Sequence, residues 1–150
     1  MSKGRIVFRV AQPPDIVFPY LSDLENAPEW VPDLVSVQKV TEGPIGVGTR
    51  YAEVVRMGSR MEKADLEVTE YAPDRVFAHS GRGGPSTFSA RFELEPDDGG
   101  TRITHSYSVS MSGMFKLVAP LATNWIRKNT EAGVENLTRL LESRHGSASQ

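Results

Sequence analysis

Three side chains able to exchange protons, Glu53, His105 and Tyr107, lie in segments of the sequence that are predicted to form β-strands. Alternate residues of a strand face the same side, and the residues two positions away from these three are mostly apolar or aromatic. All three are therefore predicted to point into the protein. A carboxyl group among apolar neighbours has a raised pKa, and histidine is the usual proton carrier near neutral pH. If the three converge, one could remove a proton while another stabilises an enolate.

Each of these residues also has a purely structural interpretation. Glu53 could be solvated or paired with an arginine if its strand twists. His105 could be a core histidine with its hydrogen bonds satisfied, and Tyr107 a core residue whose hydroxyl bonds Asn129. No catalytic motif decides between the two interpretations, since the chain has no Gly-x-Ser-x-Gly sequence. The residues alone therefore leave open whether the protein is an enzyme.

Metal and cofactor sites are not expected from this sequence. The chain has no cysteine, and its histidines, His79, His105 and His145, lack the spacing of zinc ligands. The glycine-rich segments 43–48 and 81–85 lie between predicted strands rather than between a strand and a helix. They are therefore predicted to be turns and not phosphate-binding loops.

The elements that must position these residues follow from periodicity and turn signals. Residues 5–11 are predicted to form a strand, and Pro14 opens a first short helix. A second short helix is predicted for residues 26–30, with Asn26 as its cap. Six strands and a long helix follow, so the fold class is α+β, an antiparallel sheet with the helices on one face. The six strands are predicted from residue 34 onward and at residues 49–57, 60–71, 75–80, 86–95 and 101–111.

The long C-terminal helix, predicted for residues 113–142, has an apolar side with polar gaps. Trp125 lies on this side, and Asn129, Gly133 and Asn136 fall near its centre. A helix face that only fills a core rarely carries two amides and a glycine there, whereas a face that lines a cavity can use them. Pro120 is predicted to interrupt the helix and to leave the residues before it as a separate turn or gate.

Composition limits the classes of function. The 150 residues carry a net charge of −2 with both signs interspersed, which argues against a nucleic-acid partner. The apolar run near the N-terminus is too short for a signal peptide or a membrane span, so cytoplasmic residence without integral membrane contact is expected. One domain is predicted over residues 1–144, with a flexible tail at 145–150 and a monomer or homodimer as the assembly.

One resemblance is carried by residues 11–18, 21–32, 43–51, 67–73, 99–104 and the closing helix. Together these segments resemble the START-like helix-grip superfamily, also called SRPBCC, and most closely its bacterial polyketide cyclase/dehydrase-type branch. The resemblance covers nearly the whole chain and specifies the fold better than the chemistry. It implies a curved seven-stranded antiparallel sheet that grips the C-terminal helix around an apolar cavity.

Two functions remain as hypotheses. The first is binding of a hydrophobic or aromatic small molecule, lipid- or polyketide-like, in a cavity beneath the C-terminal helix. The alternative is a polyketide cyclase or dehydratase that uses Glu53, His105 and Tyr107 for acid–base chemistry. Strand alternation and the helix face predict the same cavity wall for both. The predicted wall residues are Tyr51, Glu53, Val55, Met57, Phe88, Phe92, His105, Tyr107, Trp125 and Asn129.

Overall fold

The computed structural model describes residues 2–113, 117 and 119–148, which form seven strands, two α-helices and a 3₁₀ helix. The N-terminal part comprises strand β1 (Ser2–Val10), helix α1 (Pro14–Leu21) and the 3₁₀ helix (Leu24–Glu29). The remaining elements are β2 (Leu34–Lys39), β3 (Arg50–Met57), β4 (Arg60–Ala72), β5 (Val76–Gly83), β6 (Ser86–Asp97), β7 (Gly100–Met111) and helix α2 (Ala119–Ala148).

The strands form one antiparallel sheet in the order β1-β7-β6-β5-β4-β3-β2. Consecutive strands from β2 to β7 are neighbours, while β1 pairs with β7 and occupies the opposite edge from β2. A register shift between Val68 and Glu70 marks a β-bulge in β4, a feature that bends a strand. This arrangement confirms the predicted α+β class and the curved seven-stranded sheet.

The hairpin between β6 and β7 shows how local sequence sets the register. Asp98 and Gly99 both have positive φ, 50° and 83°, the conformation of the two-residue turns that match strand twist. The strands on either side then pair without a break from Asp97 with Gly100 to Ser86 with Met111. The predicted inward face of β7, which includes His105 and Tyr107, depends on this register.

Two local predictions are wrong. The 3₁₀ helix is capped by Asp23, which accepts a hydrogen bond from the Glu25 amide, whereas Asn26 donates its side-chain amide to the Tyr20 carbonyl. Gly81 and Gly83 belong to β5 rather than to a turn. A Cβ on Gly81 would lie 2.4 Å from the ring of Phe88, so the missing side chain leaves space for that ring.

The C-terminal helix begins and ends later than predicted. Helix α2 starts at Ala119 and continues to Ala148. Pro120 therefore lies in the first turn of the helix, where a backbone N–H would have no helical partner and its absence from proline loses no hydrogen bond. The helix thus begins where an interruption was predicted. The predicted separate turn falls largely on residues 114–116 and 118, which lie outside the described residues.

Helix α2 runs alongside β1 for almost the whole length of that strand. The hydroxyls of Ser2 and Thr123 are 2.6 Å apart, and the Ala11 amide donates to the Glu142 carboxylate at 3.2 Å. The nineteen helical steps between these points span about 28 Å, and the nine strand steps span about 30 Å. The helix and the strand therefore run side by side over nearly equal lengths, and hydrogen bonds join them at both ends of the strand.

The core is concentrated under the C-terminal half of α2. Val134, Leu137 and Leu141 are buried, and the last two join the main apolar cluster with residues of α1 and of the sheet. In the N-terminal half, by contrast, Trp125 remains 47% exposed. Among the residues of α2 whose burial is described, those that are buried hydrophobic residues lie in its C-terminal half.

We expect Leu137→Ala to lower the free energy of unfolding by about 2–5 kcal/mol, because it removes a fully buried side chain and leaves a cavity. Glu135→Ala is the matched control, two residues away on the exposed side of the same helix, and should change stability by less than about 0.5 kcal/mol. Chemical denaturation of both variants measures the difference. Equal stabilities would contradict the role of Leu137 as the anchor of α2.

Candidate functional site

A cavity of about 300 Å³ lies between the inner face of the sheet, the N-terminal half of α2 and the segment that follows α1. Its wall is mostly aliphatic and aromatic. A small number of polar groups on an apolar wall is the usual composition of a site for a small organic molecule. The polar side chains on the wall are Glu53, His79, Ser89, His105, Tyr107, Asn129 and Thr130.

Eight of the ten residues predicted for the wall line this cavity, and Tyr51 and Met57 do not. Arg50 and Arg56 are exposed while Tyr51 is buried, so the predicted alternation of β3 is correct. The eight that line the cavity are Glu53, Val55, Phe88, Phe92, His105, Tyr107, Trp125 and Asn129. Their role in binding a ligand stays a prediction.

Tyr51 and Met57 are on the same alternate positions of β3 as Glu53 and Val55, but they lie beyond the two ends of the cavity. Tyr51 is 1% exposed and belongs to the solid core. Burial, and next the charge of Asp23, raises the pKa of Tyr51 to about 12. Met57 is the last residue of β3 and is 47% exposed. Alternation predicts which side of the sheet a residue faces, but not how far along the strand the cavity extends.

Glu53 places a carboxyl group against the cavity without an ion-pair partner among the described residues. The residues of its cross-strand row are Val37 on β2 and Ala64 on β4, neither of which can bond a carboxylate through its side chain. Burial raises the pKa of Glu53 to about 7. The carboxyl group therefore exchanges its proton near neutral pH, as the sequence predicted for a carboxylate among apolar neighbours.

Two histidines occupy the opposite part of the wall. His105 stacks on Phe92 with ring centroids 4.1 Å apart and an angle of 10° between the planes. Burial lowers the pKa of both His79 and His105 to about 4, and the charge of His79 lowers that of His105 further. Both imidazoles are therefore neutral near pH 7, so His105 is a weak base rather than the proton carrier predicted from its residue type.

Glu53 is separated from the His105–Tyr107 pair. The rings of His105 and Tyr107 are 5.6 Å apart on β7, whereas Glu53 lies on β3 with three strands between. Four inter-strand steps correspond to about 19 Å along the sheet. Within the described residues no hydrogen bond or ion pair joins Glu53 to either partner, and no histidine contributes to the pKa shift of Glu53. The structure places the three candidates on one cavity but not in one interacting group.

The three polar gaps in the apolar side of α2 have different roles. Asn129 lines the cavity, and no hydrogen bond joins it to Tyr107, so the predicted structural bridge is not formed. Gly133 also lines the cavity, and a Cβ added there would lie at the ordinary contact distance of 3.5–3.6 Å from Trp30 and Pro32. Asn136 lies away from the cavity, and its side-chain amide donates to the Trp30 carbonyl at 3.1 Å. The prediction that all three line a cavity is therefore wrong for Asn136.

Sequence reasoning missed His79 and the whole contribution of the N-terminal segment. His79 follows Phe77 by two residues in β5, and the same alternation rule would have placed it inside. The wall also includes residues between α1 and β2, which carry no strand periodicity. Only the tertiary fold brings that segment over the sheet. The wall residues from this segment are Leu21, Leu24, Ala27, Trp30, Val31 and Pro32.

No group of three or more histidine, cysteine, aspartate or glutamate side chains able to hold a metal ion occurs among the described residues. None of the helices described here combines the length and the apolar character needed to cross a membrane.

Comparison with known proteins gives one family and many similar folds. Residues 1–142 match the family model described as polyketide cyclase / dehydrase and lipid transport. No curated protein sequence matches the chain. At 14–18% identity, the solved structures below support the fold alone.

TTHA0849 from Thermus thermophilus superposes with a TM-score of 0.78 at 18% identity, covering 95% of this chain and 98% of that one. CV1439 from Chromobacterium violaceum gives 0.75 at 14% identity, covering 94% and 97%. The Zhui aromatase/cyclase from a Streptomyces species gives 0.75 at 16% identity, covering 95% and 94%.

We expect Glu53→Gln to change the pH dependence of stability in a defined direction. Burial raises the pKa of Glu53 in the folded state to about 7 from its ordinary 4.5, so folding favours the protonated form. The wild type has this contribution in full below pH 4.5 and loses it as the pH rises to about 7. The free energy of unfolding of the variant minus that of the wild type should therefore rise between pH 4.5 and 7 and then level off.

Chemical denaturation at a series of pH values measures this difference, in which the contributions of the histidines cancel. Glu131→Gln, at an exposed position on α2, is the control, because it measures the effect of removing a negative charge outside the cavity. A Glu53→Gln difference that is flat across this pH range would contradict a desolvated Glu53 carboxyl group.

Proposed function

Since the chain belongs to the polyketide cyclase / dehydrase and lipid transport family, we propose that it binds a hydrophobic or aromatic small molecule, lipid- or polyketide-like, in the cavity beneath α2. The observation that carries this proposal is the cavity itself. It lies inside the fold, has an apolar wall and measures about 300 Å³, the lower end of the range for small-molecule sites. A ligand of about two fused aromatic rings suits a space of this size.

The electrostatics of the wall support a ligand without a strong charge. The two histidines are neutral near pH 7, and Glu53 is divided between its two protonation states. Burial of an unpaired ion in such a site would carry a large desolvation cost. A neutral or weakly polar molecule avoids that cost, and its few polar atoms can be oriented by hydrogen bonds from the wall.

The alternative proposal is a cyclase or dehydratase that uses Glu53, His105 and Tyr107. One observation favours it, because an acid–base group with a pKa of about 7 is suited to proton transfer near neutral pH. Two observations favour binding instead: Glu53 is remote from the other two residues, and the pKa of His105 is about 4. Any proton transfer would therefore depend on Glu53 without direct help from His105.

We expect Ala90→Trp to abolish binding of 2-naphthol, a neutral fluorescent molecule of two fused aromatic rings. Ala90 lines the cavity on β6, between His79 on β5 and Tyr107 on β7, so an indole there occupies the ligand volume. Thr87→Trp is the matched control, on the exposed face of the same strand, and should bind the probe as the wild type does. Fluorescence titration measures both affinities. Failure of the wild type to bind, or equal binding by both variants, would contradict the proposed function.

We expect Asn129→Leu to leave the stability of the ligand-free protein unchanged or higher, because the Asn129 side chain faces the cavity without a bond to Tyr107. The same change should weaken binding of 2-naphthol about three- to tenfold, the loss of one hydrogen bond, and should spare naphthalene. Thermal melts and titrations with both compounds measure these effects. A lower melting temperature without ligand would show a structural role, and equal affinities would exclude Asn129 from the site.

A further inference from the structure

Both cavity histidines have one ring nitrogen that is sealed from water and unpaired. Among the buried side-chain polar atoms of the described residues, His79 Nδ1 and His105 Nδ1 lack a hydrogen-bond partner. Both imidazoles line the cavity, and their Nε2 atoms are not among the sealed atoms. No hydrogen bond joins either Nε2 to another described residue, so each Nε2 stays accessible, and the space that both rings line is the cavity.

The proton of a neutral imidazole resides on one nitrogen, and the hydrogen bonds of the other nitrogen decide which. Here no acceptor is present to hold a proton on Nδ1 of either ring. A buried N–H donor without a hydrogen-bond partner is rarer in proteins, and more costly, than a buried acceptor without one. A proton on Nε2, in contrast, faces the cavity, where water or a ligand can accept it. The arrangement thus favours the Nε2–H tautomer at both residues.

The two rings are fixed in place near one another. His105 is held by its stack on Phe92, and His79 lies 5.8 Å from the ring of Phe77. Phe77 and His105 both pair with Phe92 across the sheet, and His79 is two residues from Phe77 on β5. Donors on this part of the wall can hydrogen-bond an acceptor oxygen of a ligand, which carries two lone pairs.

We propose that His79 and His105 are specificity-determining residues that present two Nε2–H donors to the cavity, so that the ligand carries a carbonyl-type acceptor oxygen at this end. This inference rests on the proposed binding function and narrows the ligand class to aromatic or polyketide-like ketones. The low pKa of both histidines supports it, because neutral imidazoles keep the same tautomer and the same donors throughout the physiological pH range.

The tautomer is measured first, on the wild-type protein without ligand. Long-range ¹H–¹⁵N correlation spectra at pH 7 distinguish Nδ1–H from Nε2–H imidazoles, and the loss of signals in His79→Gln and His105→Gln assigns them. We expect both residues to be Nε2–H. An Nδ1–H tautomer at both residues would overturn the inference, whatever the protein binds.

The ligand class is measured with two probes of nearly the same shape, 2-acetylnaphthalene and 2-isopropenylnaphthalene, which differ by an oxygen in place of a methylene group. We expect His105→Phe, which keeps a ring to stack on Phe92 but has no donor, to weaken the ketone about three- to tenfold. The hydrocarbon should be affected less than about twofold. His105→Gln, which retains an N–H donor, should recover part of the loss, and His79→Phe should behave as His105→Phe does.

Phe88→Leu is the matched control, because Phe88 lines the cavity without a polar atom and should weaken both probes alike. If His105→Phe also weakens both probes alike, the inference is wrong while the binding function stands. If neither probe binds to the wild type, the proposed function fails together with the ligand class derived from it. Selective loss of the ketone, together with Nε2–H tautomers, supports both.

Discussion

The cavity lies under the N-terminal half of helix α2, while buried side chains of the C-terminal half pack the helix into the core. Leu137 and Leu141 fill the core against α1 and the sheet, and the Asn136 amide ties the helix to the Trp30 carbonyl. A helix fixed in this way at its C-terminal half must extend its N-terminal half over the sheet.

Glycine and aromatic residues shape the inner face of the sheet. Tyr107 covers Gly4 on β1, where an added Cβ would lie 2.2 Å from the ring, and Phe88 covers Gly81 on β5. In each pair the ring lies across the neighbouring strand instead of standing upright in the cavity. The same pairing protects the exposed backbone of the glycine. The sheet thereby keeps an aromatic inner face without closing the space that the helix leaves.

This construction explains the unusual state of the ionisable groups on the wall. Glu53 and the two histidines face a space with a mostly apolar wall, where the charged form of each group loses hydration and has no counter-charge among the described residues. Burial therefore raises the pKa of the acid and lowers the pKa of both bases, so all three shift towards the neutral form. A cavity with these properties discriminates against ions and leaves hydrogen bonding as the way to orient a ligand. These properties support the proposed binding of a weakly polar aromatic molecule.

The sequence by itself determined the class of fold, the order of the strands along the chain and the side of the sheet that each strand residue faces. These follow from alternation, turn residues and a 3.6-residue period, all of which are local, and so Glu53, Phe92, His105 and Trp125 could be placed on the cavity in advance. The tertiary structure alone decided where along β3 the cavity ends, which excludes Tyr51 and Met57, and that Asn136 is a structural contact. It also decided that Glu53 and His105 lie three strands apart and that Trp30 forms part of the wall. Those facts depend on the curvature of the sheet and on contacts between residues distant in sequence, for which no short-range pattern of residues carries a signal.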